Sequence, residues 1–259
     1  AMNFSYTSLM TARQCWRKYW LYVNYEPITP PLPIKIGQVV HDQVLAPYYL
    51  GQIELADIPD VFVKEYSKVL PDYEDEDKAK KQGNAMFKLL QQYVTREQEQ
   101  PLITIEDSVE KKLEYDGYVC KVDLIAYYWD PNALFIVEHK TGKVAEAMTL
   151  LMDEQTALGI TLASKLMGLE IAGSIHNYIS LTDGLARKVW PKSQAFVMAL
   201  MNNLEHTRIA AQRRLLQALF KHEGTEKPEQ FWYAEPNYTC PSCQFLEPCM
   251  AIITGGDWQ

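Results

Sequence analysis

Between Lys111 and Lys143 the chain reads KKLEYDGYVCKVDLIAYYWDPNALFIVEHKTGK, and this stretch limits the possible folds more tightly than any other. Asp116-Gly117 is a two-residue hairpin turn between runs of strand-forming residues. Asp130-Pro131-Asn132 marks a second turn. The spacing predicts three consecutive β-strands, the last from Ala133 to Lys140. That strand is almost wholly apolar until it ends in Glu138-His139-Lys140. A buried strand that finishes in charges delivers them to one end of its sheet. Side chains alternate faces along a strand, so Glu138 and Lys140 share one face and His139 takes the other. If the preceding strand pairs with this one, Asp123 reaches the same place, and two carboxylates and an ammonium converge.

The chain has 259 residues, 47% hydrophobic and 22% charged, enough to bury the core of one large domain. Ala1 ahead of Met2 reads as a leftover and is set aside. The expectation is a single domain over 2–259: a mainly helical part (2–100), a sheet core (101–192), and a long helix with a tail (193–259). Helical spacing covers Ser5 to Tyr25, with an aromatic face of Trp16, Tyr19, Trp20, Tyr22 and Tyr25. Pro27, Pro30, Pro31 and Pro33 follow as an extended connector. Further helices are predicted from Lys35 to about Ala46, ending near Pro47, and from about Gly83 to Glu99. Asp72 to Lys81 is a charge run, read as a solvated loop or a helix start. After the strands come a helix from Val144 to Met167, strands at Leu169–Leu181 and Leu185–Trp190, and a helix over Ser193–Lys221. No N-terminal segment resembles a signal peptide and no apolar run is long enough to span a bilayer, so a cytoplasmic setting without membrane contact is expected. The net charge of -8 argues against a broadly basic surface that coats nucleic acid, though not against a local basic groove.

Mg²⁺ or Mn²⁺ wants oxygen ligands, and Asp123 and Glu138 supply them. Such an ion lowers the pKa of a bound water and neutralises charge on a phosphodiester. Lys140 is placed to orient or deprotonate that water, or to stabilise the transition state. Each feature alone also has a plain structural reading: an E-x-K at a strand end, an Asp paired with Lys121 or Lys140, a helical histidine at the surface. Their order carries more. Asp123, then Glu138-His139-Lys140-Thr141-Gly142, resembles the PD-(D/E)XK nuclease superfamily. The Lys-Thr-Gly extension is similar to the branch holding helicase–nuclease domains and the four-cysteine CRISPR-associated exonucleases. That branch carries Gly-x-x-x-His on an upstream helix, present here as Gly37 to His41, where the glycine would leave room beside the imidazole. The resemblance implies an α/β, restriction-endonuclease-like core with a central mixed sheet flanked by helices. It implies His41 and the backbone carbonyl of His139 as further metal ligands, and Gln155 as a support for water or DNA. Two positions depart from the pattern. Gly159 stands where a tyrosine is usual, and Val122 precedes Asp123 in place of proline.

Cys240-Pro241-Ser242-Cys243, followed by Cys249, is a C-x2-C-x5-C run that needs one more soft ligand, for which Cys15 is the candidate. Four thiolates suit a tetrahedral Zn²⁺ site. A pair of disulfides is disfavoured in a reducing compartment. The four-cysteine exonucleases have one cysteine in the first helix and three in the tail, so the resemblance implies a [4Fe–4S] cluster on Cys15, Cys240, Cys243 and Cys249, tying the Cys-rich tail to the N-terminal helix. Cys120 is left over as a small buried hydrophobe. Arg17 is the candidate DNA contact, among Arg13, Lys18, Trp16 and Trp20, although those aromatics also read as core. The function expected is hydrolysis of DNA, as an exonuclease on single strands or ends, in recombination, repair or CRISPR adaptation, with helicase or adaptation proteins as partners. A non-catalytic assembly subunit and a structure-specific endonuclease are the alternatives.

Overall fold

A computed structural model describes residues 4–16, 18, 19, 21, 32–72, 75–221 and 249. In chain order the first elements are β1 (Phe4–Ser5) and α1 (Tyr6–Gln14), then α2 (Leu32–Gln38), a π-helical turn (Val39–Leu45) and α3 (Ala46–Tyr49). Next come α4 (Ile58–Val69), α5 (Glu76–Glu99), β2 (Ile103–Thr104), β3 (Lys111–Tyr115), β4 (Tyr118–Val122), β5 (Leu124–Tyr128) and β6 (Ala133–Lys140). The chain closes with α6 (Ala147–Leu151), α7 (Glu154–Met167), β7 (Ile171–Ser180), β8 (Gly184–Pro191) and α8 (Gln194–Lys221). Two compact units result: Ala1–Thr29, Asp116–Val119 and Ala199–Gln259 form the first, and Pro30–Tyr115 with Cys120–Met198 the second.

The second unit is built on a five-stranded mixed sheet of order β2-β5-β6-β7-β8. β5 and β6 are antiparallel, with Leu124 opposite Val137. β6 and β7 are parallel, with Glu138 beside His176. One sheet face, with Phe135, Val137, Leu124 and Ile175, is buried among apolar side chains. His139 continues that face, where Tyr49 and Tyr93 meet its ring. The other face is covered by α7, whose Gly159 lies against Val122 and Ile136. A helical core of Val40, Val44, Phe62, Tyr66, Met86 and Leu90 packs α4 and α5 against the π-helical segment. This is the mixed sheet with flanking helices expected of a restriction-endonuclease-like core.

In the first unit, β1 pairs in parallel with the start of β4, Phe4 beside Tyr118 and Ser5 beside Val119. Trp16 and Tyr19 are buried, so this part of the aromatic face is core. The arginines nearby are engaged within the unit. Arg13 donates to Thr207 Oγ1 (2.6 Å) and to the Asn203 carbonyl (2.9 Å). Arg214 stacks 4.4 Å over the Trp16 ring, and Arg208 binds Glu205.

Several boundaries differ from expectation, each for a local reason. The Lys111–Lys140 segment holds four strands rather than three, because the chain leaves one sheet after Val122 and enters the next at Leu124, with Asp123 between them. The helix through Lys35 does not stop near Pro47 but runs to Tyr49. Pro47 falls in the first turn of α3, where a missing N–H costs little. The charge run is a helix start: Asp75 caps α5 through Lys78 N–H (2.9 Å), and Glu76 and Asp77 meet the positive end of the helix dipole. The helix over Val144–Met167 is two helices, since Asp153 caps α7 afresh. The first helix breaks at Cys15, whose backbone is extended (φ -166°, ψ 126°). Pro33, expected in the extended connector, lies instead in the first turn of α2, where a missing N–H costs little. Pro27, Pro30, Pro31, Arg17, Cys240 and Cys243 lie outside the described residues.

Candidate active site

The site begins where the chain crosses between sheets. Asp123 sits at that crossing, and three groups fix it. The backbone N–H of His139 donates to its Oδ2 (2.8 Å), His41 Nε2 stands 2.9 Å from its Oδ1, and its own carbonyl accepts from Glu110 N–H (2.9 Å). In an extended strand a residue's N–H and C=O lie on the same side. The His139 carbonyl therefore faces the edge that Asp123 occupies.

His41 is presented by the π-helical turn. Its Nδ1 lies 3.0 Å from Asp42 and 3.3 Å from Glu110. Three carboxylates thus surround one imidazole. Burial opposes protonation of His41, but hydrogen bonding and charge from Asp123, with help from Asp42 and Glu110, push it up to about 9. Burial likewise favours a neutral Asp123, and the His41 hydrogen bond and charge outweigh it, leaving the carboxyl below its usual range. His41, Glu110 and Asp123 each offer a ligand atom within 4.8 Å of the others. Glu110 was not among the sequence candidates. It lies in a loop with a left-handed backbone (φ 52°), where no periodicity announces it, and Lys121 pairs with it. Gly37 does not chiefly make room for the imidazole. A Cβ there would come 2.6 Å from Thr141 Oγ1, so the glycine lets the residue after Lys140 close against the helix.

Glu138 follows on the face covered by α7. It is buried, and its Oε2 accepts from Lys140 Nζ (2.8 Å) and Gln155 Nε2 (3.1 Å). Burial, then the charge of Asp123, pushes its carboxyl up to about 8. Burial disfavours the Lys140 ammonium, but the charge and hydrogen bond of Glu138 win and raise it above the usual lysine range. Gln155 owes its position to Asp153, whose Oδ1 accepts from the N–H groups of Gln155 (2.9 Å) and Thr156 (3.4 Å). Lys192 holds that turn in place: its buried Nζ donates to the Asp153 carbonyl (3.2 Å) and Thr156 Oγ1 (2.5 Å). His176, beside Glu138 on β7, lies 3.6 Å from Asp153. Sequence reasoning missed Asp153, Lys192 and His176. An aspartate two residues before Gln155 was a readable cap signal.

On the opposite face His139 enters a buried polar network. Tyr93 Oη lies 3.5 Å from its Nε2 and 2.7 Å from Tyr49 Oη. Glu97 is buried against Arg187, and Arg96 donates to Asn177 Oδ1 (2.6 Å). Burial pushes His139 down to about 3, so the ring is neutral and packs as part of the wall behind the site.

Nitrogen and oxygen donors crowded with more carboxylates than Lys140 balances suit a hard divalent cation, which relieves the repulsion between Asp123 and Glu138. Of the four cysteines expected to hold a cluster, the structure describes Cys15 and Cys249. Cys15 and Cys249 are half-buried and belong to the same unit. Cys120 is buried, and burial pushes its thiol up to about 12, as for a small core residue. Among the described residues no helix is long and apolar enough to cross a membrane.

No curated protein matches the chain. The sequence profile of the PD-(D/E)XK nuclease superfamily matches residues 3–250. A match over nearly the whole chain is more than a shared motif, and it covers both the sheet and the helix that presents His41: the chain belongs to the PD-(D/E)XK nuclease superfamily, a family of metal-dependent nucleases.

Proposed function

We propose that this protein is a Mg²⁺- or Mn²⁺-dependent deoxyribonuclease, acting as an exonuclease on single-stranded DNA or DNA ends. The observation that carries this is the convergence of His41, Asp123, Glu138, Lys140 and Gln155 at one end of the sheet, joined through Asp123–His41 and Glu138–Lys140–Gln155 contacts. His41, Glu110, Asp123, Glu138 and the His139 carbonyl would hold the ion. When bound, it supplies an activated water and neutralises phosphate charge. Lys140 offers ammonium hydrogens beside Glu138, which orient the attacking water and stabilise charge on the phosphoryl oxygens. Gln155 holds Glu138 Oε2 so that the carboxylate keeps one orientation through the reaction. Water attacks phosphorus and gives up a proton to solvent, the bond to the leaving nucleoside oxygen breaks, and that oxygen takes a proton from solvent.

Residues 2–259 make up one nuclease domain in this reading. A [4Fe–4S] cluster on Cys15, Cys240, Cys243 and Cys249 ties the tail to the first helix, and Zn²⁺ is the alternative occupant. The protein works in the cytoplasm, in recombination, repair or CRISPR adaptation, alongside helicase or adaptation partners. Arg17 contacts DNA. The membership of the family and the placing of Cys15 and Cys249 in one unit support this branch.

Labelled single- and double-stranded DNA with Mn²⁺, with EDTA, and with the Glu138→Ala and Lys140→Ala proteins tests the site. Metal-dependent cleavage lost in both variants is expected, and equal cleavage by all three proteins would refute it. Closed circular DNA should survive, because an exonuclease needs an end. A visible–UV spectrum of anaerobically purified protein, with iron and zinc analysis, separates cluster from zinc.

A further inference from the structure

A cleft of about 450 Å³ opens beside His41, within the range of small-molecule sites. Ile34, Gly37, Val40, Leu45, Thr141 and Ile179 are among the residues that line it, with the polar side chains of Gln38 and His139. Ile34 is 52% exposed although its neighbours are apolar. No lysine or arginine lines the cleft among the described residues, and its one acid is Asp42. His41 belongs both to this cleft and to the triad with Glu110 and Asp123.

That shared residue ties the cleft to the chemistry. A strand with a phosphate at His41 and Asp123 must place the sugar and base of an adjoining nucleotide within one nucleotide's reach of it. The phosphate itself stays outside the cleft: no lysine or arginine lines it among the described residues, His41 is already held by Asp123, Asp42 and Glu110, and Asp42 repels an anion. An uncharged, flat, largely apolar group does fit, with Asp42 placed to accept from an exocyclic amine. Gly37 keeps Thr141 drawn against the helix, which a Cβ would push away. A base inside a duplex is paired and stacked, and extracting it costs a few kcal/mol. We propose that the cleft receives one unpaired nucleobase of the strand being cut, and that this makes single strands and frayed ends the preferred substrate. The proposal rests on the nuclease reading and names the part of the substrate that this reading leaves open.

The test is fluorescence anisotropy of the full chain with Ca²⁺ in place of Mn²⁺, using a single-stranded oligonucleotide and a strand of equal length made only of abasic nucleotides. The base-bearing strand should bind about tenfold more tightly, in line with the contribution of one well-held base. Ile34→Asn, a neutral change at an exposed position, should weaken the base-bearing strand severalfold and leave the abasic strand unmoved, while Ile34→Val retains the preference. Thermal melts show that each variant is folded. Equal binding of the two strands, or equal weakening of both by Ile34→Asn, overturns the proposal. Binding is read without hydrolysis, so a base preference in a protein that cleaves nothing would sink the nuclease reading and keep the cleft only as a base-binding site, whereas cleavage without a base preference would sink this proposal alone.

Discussion

At the scale of single residues, Glu110 is the most direct test of the candidate metal site. It shares a 4.8 Å cluster with His41 and Asp123 and stands outside the family motif. Glu110→Ala should weaken Mn²⁺ binding about ten- to a hundredfold, the usual cost of losing a group at such a site. Titration of the free ion by electron paramagnetic resonance measures this, and unchanged affinity would remove Glu110 from the ligand set. His176 yields a second prediction. Burial pushes it down to about 4, against 6.5 in an unfolded chain. Between those values the unfolded chain holds the extra proton, so stability is complete above 6.5 and is lost as the pH falls toward 4, by about 3 kcal/mol. Urea denaturation from pH 7 to 4 should show the loss, and His176→Phe should flatten it; an unflattened curve rules His176 out as its source. His41, Asp123, Glu138, Lys140 and Gln155 were legible in the sequence because strand alternation and motif order place them. Glu110 was not, because it reaches the site from a left-handed loop, and no periodic rule describes that approach.

At the scale of elements, α7 explains what became of the missing tyrosine. A Cβ at Gly159 would stand 3.1 Å from Val122 Cγ1 and 3.6 Å from Ile136, so this position faces the sheet rather than a substrate. Gly159→Tyr should not gain a DNA contact but destabilise the fold by about 1–3 kcal/mol through overpacking, read from chemical denaturation. A stable variant that binds DNA more tightly would show that the helix can turn this residue outward. The same helix depends on Lys192 for its first turn. Lys192→Met should cost about 1–3 kcal/mol by removing one buried donor from both the Asp153 carbonyl and Thr156 Oγ1. It should also slow cleavage, with little further loss in a Gln155→Ala background, because both changes break one chain of contacts. Independent, additive losses would mean that Lys192 does not position Gln155. The strands and long helices followed from period and turn residues, whereas the split at Asp153 did not. Leu150, Leu151 and the apolar run after Thr156 blend into one helical pattern, and only the cap interrupts it.

At the scale of the whole molecule, one unit carries the sheet with the candidate site and the other holds Cys15 and Cys249. Cys243→Ser should lose the visible absorbance of a cluster and much of the protein's solubility. The proposed cluster would close a loop of more than two hundred residues between Cys15 and the tail, a constraint worth about 5 kcal/mol by analogy with a long-loop disulfide. A soluble, fully active and equally coloured Cys243→Ser protein would sink that role. The division also sets an order of birth. The first unit is discontinuous: β1 needs Tyr118 and Val119, and the rest of the unit begins only at Ala199. The second unit lies entirely before that point. Chains emerge from the ribosome N-terminus first and fold by units. His41, Glu110, Asp123, Glu138, Lys140 and Gln155 are therefore all translated before Ala199. A newborn chain carries all six of these candidate site residues before the segment that finishes its partner unit exists.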